Sequence, residues 1–164
     1  MNIYLIGMMG SGKSTVGKIL AKKMEMPFVD LDEAIEKSAE KSIKDIFEID
    51  GENTFRKLEA DHLRKVSSSV VSCGGGIILQ DDNCNFIQEN GKAILLTASM
   101  SELAQRLDNS NKRPLLAENN TEETLTNLWL KRQVQYLSTA DITIETDGKT
   151  PEQITKEILS NLNS

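Results

Sequence analysis

Short apolar runs and amphipathic stretches alternate along the whole chain. Runs that read as buried strands lie at Asn2–Ile6, Pro27–Asp30, Ser69–Ser72, Ala93–Thr97 and Asp141–Glu145. Between and after them the spacing predicts helices over Ser14–Met24, Ser42–Ile49, Glu52–Lys65, Ser101–Leu107, Thr121–Ser138 and Pro151–Leu162. The last helix carries its own start signal: Thr150 as N-cap, Pro151 at the first helical position and Gln153 three residues after the cap. Strands alternating with helices predict an α/β fold of three layers, α/β/α, with a five-stranded parallel sheet in the middle. No internal repeat interrupts the pattern, and 164 residues suit one domain spanning 1–164. The pattern breaks over residues 108–120, where Asn109-Ser110-Asn111 precedes Lys112-Arg113-Pro114 and Asn119-Asn120 follows. A polar stretch of this length predicts a lid loop.

The junction between the first strand and the first helix reads Gly7-Met8-Met9-Gly10-Ser11-Gly12-Lys13-Ser14-Thr15. This is a G-x-x-x-x-G-K-[ST] phosphate-binding loop in its required setting, after a buried strand and before a helix. Glycines let backbone N–H groups from Gly10 through Thr15 curl around phosphate oxygens, Lys13 reaches the β- and γ-phosphates, and Ser14 is a ligand for Mg²⁺. The competing reading is a glycine-rich turn ahead of an amphipathic helix. Its setting favours the nucleoside triphosphate site.

Composition narrows the partners. Nineteen Lys and Arg against 25 Asp and Glu give a net charge of −6, which argues against an extended basic surface for nucleic acid. Any anion site must therefore be local. The two cysteines, Cys73 and Cys84, have neither C-x-x-C nor Cys/His metal spacing and read as reduced, buried thiols of a cytoplasmic protein. The N-terminal apolar stretch has no basic flank and runs straight into the phosphate loop, so neither a signal peptide nor a membrane span is expected.

Phosphoryl transfer also needs a metal site, an acceptor and charge stabilisation, and four further groups of residues offer them. Asp30-Leu31-Asp32 ends the second strand with two carboxylates that share a side if the chain is extended there, able to divide work between Mg²⁺ and a substrate hydroxyl. The alternative is that Asp32 caps a following helix. Glu52, Arg56 and Glu59 share a helical face, the pattern of a substrate cation or of a solvated ion-pair ladder. Gly74-Gly75-Gly76 follows a strand and offers either close backbone access to a ligand or a plain turn. Arg113-Pro114-Leu115-Leu116 lies in the polar loop, and Arg132 stands four residues before Tyr136 on the long helix. His62 lies outside every motif and reads as surface or packing, and Trp129 and Tyr136, seven apart, read as core.

In this order, from the phosphate loop through Asp30-Leu31-Asp32, Phe55-Arg56-Lys57-Leu58-Glu59, the glycine triplet, Arg113 to Leu116 and Arg132 to Tyr136, the chain resembles the shikimate kinase family over nearly its whole length. The resemblance implies a P-loop kinase fold and transfer of the γ-phosphoryl of ATP to the 3-hydroxyl of shikimate. It further implies an acid-binding region at about 32–62, with Asp32 on substrate hydroxyls, Arg56 and Arg132 on the carboxylate, and Gly75, flanked by Gly74 and Gly76, against the ring. Mg²⁺ would sit by Ser14 and Asp30, Arg113 on the ATP phosphates and Lys149 near the adenine. The expected catalytic residues are Lys13, Asp32 and Arg113, in a monomer. The chemistry agrees: a polyhydroxylated acid needs hydroxyl acceptors and fork-shaped cations, which guanidinium supplies and ammonium does not. Two rival readings are a kinase of the same fold for gluconate or a nucleoside monophosphate, and a non-catalytic nucleotide-dependent switch.

Overall fold

In a computed structural model, which describes residues 1–110 and 121–164, five parallel strands stand in the order β2-β3-β1-β4-β5. They are β1 Asn2–Ile6, β2 Phe28–Asp30, β3 Val70–Ser72, β4 Gly91–Thr97 and β5 Ile142–Glu145. β1 is buried throughout and lies between β3, with Tyr4 beside Val71, and β4, with Tyr4 beside Ala93. Successive side chains of a strand point to opposite faces, so one hydrophobic run supplies two cores. Tyr4 and Ile6 join Leu63, Val71, Leu95, Leu103, Leu125 and Tyr136 on one face, while Ile3 and Leu5 join Val16, Leu20, Ile94, Ile144 and Ile158 on the other. This is the expected three-layer α/β/α arrangement.

The helices are α1 Lys13–Met24, α2 Leu31–Ala39, α3 Ile43–Asp45, α4 Glu52–Leu63, α5 Asp81–Asn90, α6 Met100–Ser110, α7 Thr121–Thr139 and α8 Pro151–Leu162. The N-terminal capping box of α8 forms as its sequence predicts: Thr150 Oγ1 accepts from the Gln153 N–H, and the Thr150 N–H donates to Gln153 Oε1. The expected helix Ser42–Ile49 is instead the short α3, capped by Ser42, followed by a wide π turn over Ile46–Asp50. Its Ile46 and Phe47 pack with Ile35 and Phe55, so α2, this turn and α4 share a small separate core. The first three residues of the expected lid, 108–110, belong to α6.

Two helices carry no strong sequence signal. α5 is built from Asp, Asn and Cys as much as from apolar residues, which are poor helix formers, and it exists because Ile87 and the partly buried Phe86 pack onto the sheet. α2 starts at the residue after β2, leaving no loop to mark it.

The chain leaves β1 toward one edge of the sheet, through β2 and β3, and later fills the other edge with β4 and β5. The carboxyl end of β1 therefore sits where strand order reverses, the place at which open α/β sheets leave a crevice for ligands.

Candidate active site

The phosphate loop occupies that crevice. Gly12, at φ +93°, caps α1 in a conformation that a side chain would strain, and Gly10, at φ +81°, lies so close to α6 that a Cβ would stand 3.2 Å from Leu107 Cγ. Lys13, 8% exposed, folds its ammonium back into the loop and donates to the carbonyls of Gly7 at 2.8 Å and Met8 at 3.0 Å, with Ser11 Oγ at 3.5 Å. The loop thus holds a buried cation over a ring of backbone. Ser11 is buried in its floor, and Thr15 is exposed on the first turn of α1.

Ser14 Oγ donates to Asp30 Oδ2 at 2.5 Å and lies 3.2 Å from Ser72 Oγ at the end of β3. Asp30 Oδ1 meanwhile accepts from the N–H groups of Asp32 at 3.0 Å and Glu33 at 3.3 Å, so Asp30, not Asp32, is the cap of α2. Because the cap turns the chain helical at Leu31, the two carboxylates do not share an extended face. Asp30 turns to Ser14, and Asp32 turns to the glycine triplet.

The triplet is the hub of a second site. A Cβ on Gly74 would stand 3.0 Å from Asp32 Oδ1 and 2.9 Å from Glu59 Oε2. One on Gly75 would stand 3.5 Å from Arg132 Nη1 and 3.6 Å from Tyr136 Oη, and one on Gly76 only 2.5 Å from both terminal nitrogens of Arg56. Residues from α2, α4 and α7 therefore converge on one bare stretch of backbone just past β3. Arg56 is held on three sides: Nη1 pairs with Glu59 Oε1 at 2.9 Å, Nη2 with Glu52 Oε1 at 3.5 Å, and the Phe55 ring centroid lies 5.1 Å from its Cζ.

Glu59 belongs to this cluster more closely than its motif suggests. The expected solvated ladder is exposed only at Glu52, because Glu59 lies between Phe55 and Leu63 at four-residue spacing, on the buried stripe of α4. That spacing was its available signal. Burial pushes the Glu59 carboxyl above its ordinary range, and the Asp32 charge adds to this, while the Arg56 guanidinium opposes it. Among the described residues, Glu59 Oε2 and Arg56 Nε are buried without a hydrogen-bond partner. Tyr136, expected as core, is fully buried and stacks on Trp129 with centroids 6.0 Å apart, but its hydroxyl donates to the Gly75 carbonyl inside the site.

Arg106 carries no motif, yet it links three elements. Its Nη1 donates to the Gly10 carbonyl and to Thr146 Oγ1, each at 3.2 Å, and its Nε pairs with Glu102 at 3.2 Å. Lys149, in the loop after β5, pairs with Glu157 of α8 at 2.6 Å. Cys73 is buried before the triplet, and desolvation first, then the nearby Glu59 charge, pushes its thiol far up, which keeps it a neutral, inert packing group. His62 Nδ1 is hydrogen-bonded with the Leu58 carbonyl at 2.8 Å within its own helix. Arg113 and most of the expected lid lie outside the described residues.

Comparison with known proteins bears on the whole chain. A family model described as shikimate kinase matches residues 9–163. The shikimate kinase of Persephonella marina is 45% identical over 164 residues, covering 98% of both chains. Among solved structures, a shikimate kinase from Acinetobacter baumannii in complex with shikimate superposes with a TM-score of 0.94 at 35% identity, covering 99% of this chain and 92% of its own. The shikimate kinase of Aquifex aeolicus superposes at 0.85 with 39% identity, covering 99% and 96%. A shared sheet alone does not produce identity at this level from end to end; the chain belongs to the shikimate kinase family.

Proposed function

We propose that this protein transfers the γ-phosphoryl group of ATP to the 3-hydroxyl of shikimate, yielding shikimate 3-phosphate and ADP on the route to chorismate and the aromatic amino acids. The observation that carries the reading is the convergence of Asp32, Glu59, Arg56 and Arg132 on Gly74-Gly75-Gly76, one strand away from the phosphate loop. A polyhydroxylated acid is matched on both counts. The Asp32 carboxylate, half-buried beside the triplet, accepts from the acid's hydroxyls, and two planar guanidinium groups are available to the acid's carboxylate.

The phosphate side follows from the loop. Lys13 exchanges its carbonyl partners for the β- and γ-phosphate oxygens, while the N–H groups from Gly10 to Thr15 cradle them. The hydroxyl of Ser14 beside the Asp30 carboxylate is a hard oxygen set that fits Mg²⁺ with water and phosphate completing its shell. When bound, Mg²⁺ supplies neutralisation of the charge on the transferring phosphates. Asp32 orients the acceptor hydroxyl and is the candidate to take its proton. By resemblance, Arg113 adds positive charge at the phosphates and Lys149 lies toward the adenine. We further read the protein as a monomer of the cytoplasm; among the described residues, no helix is long and apolar enough to cross a membrane.

The test is a coupled ADP-release assay with ATP, Mg²⁺ and, in separate reactions, shikimate, gluconate, AMP or no acceptor. Turnover is expected with shikimate alone. Preferential turnover with gluconate or AMP, or release that no acceptor accelerates, overturns the proposal.

A further inference from the structure

The Tyr136 phenol has one hydrogen to give, and it gives it to the carbonyl of Gly75, which can only accept. The Arg132 guanidinium, one helical turn earlier, reaches the same glycine: a Cβ on Gly75 would stand 3.5 Å from Arg132 Nη1 and 3.6 Å from Tyr136 Oη, and a guanidinium, which can only donate, meets there a phenol oxygen with a lone pair left to accept. Stacking on Trp129 at an interplanar angle of 17° and complete burial fix the ring from behind. We propose that Tyr136 is a positioning residue for the acid clamp: it braces the Arg132 guanidinium and the Gly75 peptide together, so that arginine and glycine backbone meet the substrate carboxylate in one set geometry. This rests on the reading of Arg132 as the carboxylate's partner.

Burial pushes the phenol up to about 12, against the opposing pull of Arg132, so it remains a donor wherever the enzyme works. Because a peptide is planar and trans, holding the Gly75 carbonyl also holds the N–H of Gly76 on the opposite side of that peptide. Gly76 is the residue against which the Arg56 guanidinium packs. One hydroxyl therefore bears on both arginines.

The test compares kcat/KM for shikimate and for its methyl ester, which has the same ring and hydroxyls without the charge. Tyr136→Phe keeps the ring and its stacking, and circular dichroism checks the fold. The variant is expected to lower kcat/KM for the acid by about 10-fold, the scale of one hydrogen bond to a charged group, and for the ester by less than about 2-fold, with the KM for ATP unchanged. Added to Arg132→Lys, it should cost no more than Arg132→Lys alone, since both act through one contact. Equal losses on acid and ester, or no loss on either, overturn the role. If Arg132→Lys itself fails to narrow the acid-to-ester ratio, the clamp reading falls and takes this inference with it. If Arg132→Lys narrows the ratio and Tyr136→Phe does not, only this inference falls.

Discussion

Gly76→Ala tests the second site with a single methyl group. Gly76 has φ −94° and ψ 6°, a conformation open to alanine, so the substitution adds no backbone strain. The new Cβ would lie 2.5 Å from Arg56 Nη1 and Nη2 and 2.7 Å from Cζ. Ordinary contact is about 3.5 Å, so the guanidinium must retreat by about 1 Å. It cannot do so freely, because Glu59 at 2.9 Å and Glu52 at 3.5 Å hold it and the Phe55 ring stands beside it. A displaced fork keeps its charge but loses its paired alignment with a carboxylate. Loss of a charged hydrogen bond, roughly 1.5–3 kcal/mol, corresponds to roughly 10- to 100-fold in the KM for shikimate. Nothing in the phosphate loop is disturbed, so the KM for ATP should stay within about 2-fold. Steady-state kinetics with each substrate varied in turn measures both. An unchanged KM for shikimate in a folded variant, or equal weakening of both substrates, refutes the placement of Arg56 against this glycine.

Lys13→Ala should cut kcat by at least ~100-fold with the fold intact, because the loop's buried ammonium is then gone from the transferring phosphoryl; near-normal turnover in the coupled assay would sink the role given to this loop. Arg132→Lys should raise the KM for shikimate by ~10-fold while leaving ATP little changed, and parallel losses would show that the clamp is misplaced. Glu59→Gln bears on pH. The carboxyl of Glu59 is raised by burial, so the folded state binds its proton more tightly than the unfolded chain, and the stability this lends below the ordinary carboxylate range is lost as pH rises through the raised value. Glutamine mimics the protonated form, so Glu59→Gln should melt no lower than the parent at pH 8 while raising the KM for shikimate, because Arg56 loses its charged partner. A variant that melts lower at pH 8 than at pH 5, relative to the parent, would reverse the sign of this reasoning.

The strands, the phosphate loop and the order of the motifs were legible in the sequence because each depends on neighbours in the chain. Ile3–Ile6 is an unbroken run of apolar and aromatic residues, whichever face each residue meets, and a glycine loop before a helix binds phosphate through its own backbone. Thr150, Pro151 and Gln153 likewise determine the start of α8 among themselves. The resemblance carried by six collinear motifs also anticipated the family. Tertiary structure decided what depends on distant partners. α5 is a helix because the sheet offers Ile87 and Phe86 a surface, against the preference of its own residues. Asp30 and Asp32 part ways because one carboxylate caps α2 while holding Ser14, and two-residue spacing could not say that the strand ended between them. Glu59 becomes a buried partner of Arg56, and Tyr136 a brace for Gly75, only once α4 and α7 close over the glycine triplet from opposite ends of the sequence. Local periodicity sets which face a residue takes; burial, and the charge and hydrogen bonding that follow from it, are set by what the rest of the chain brings to that face.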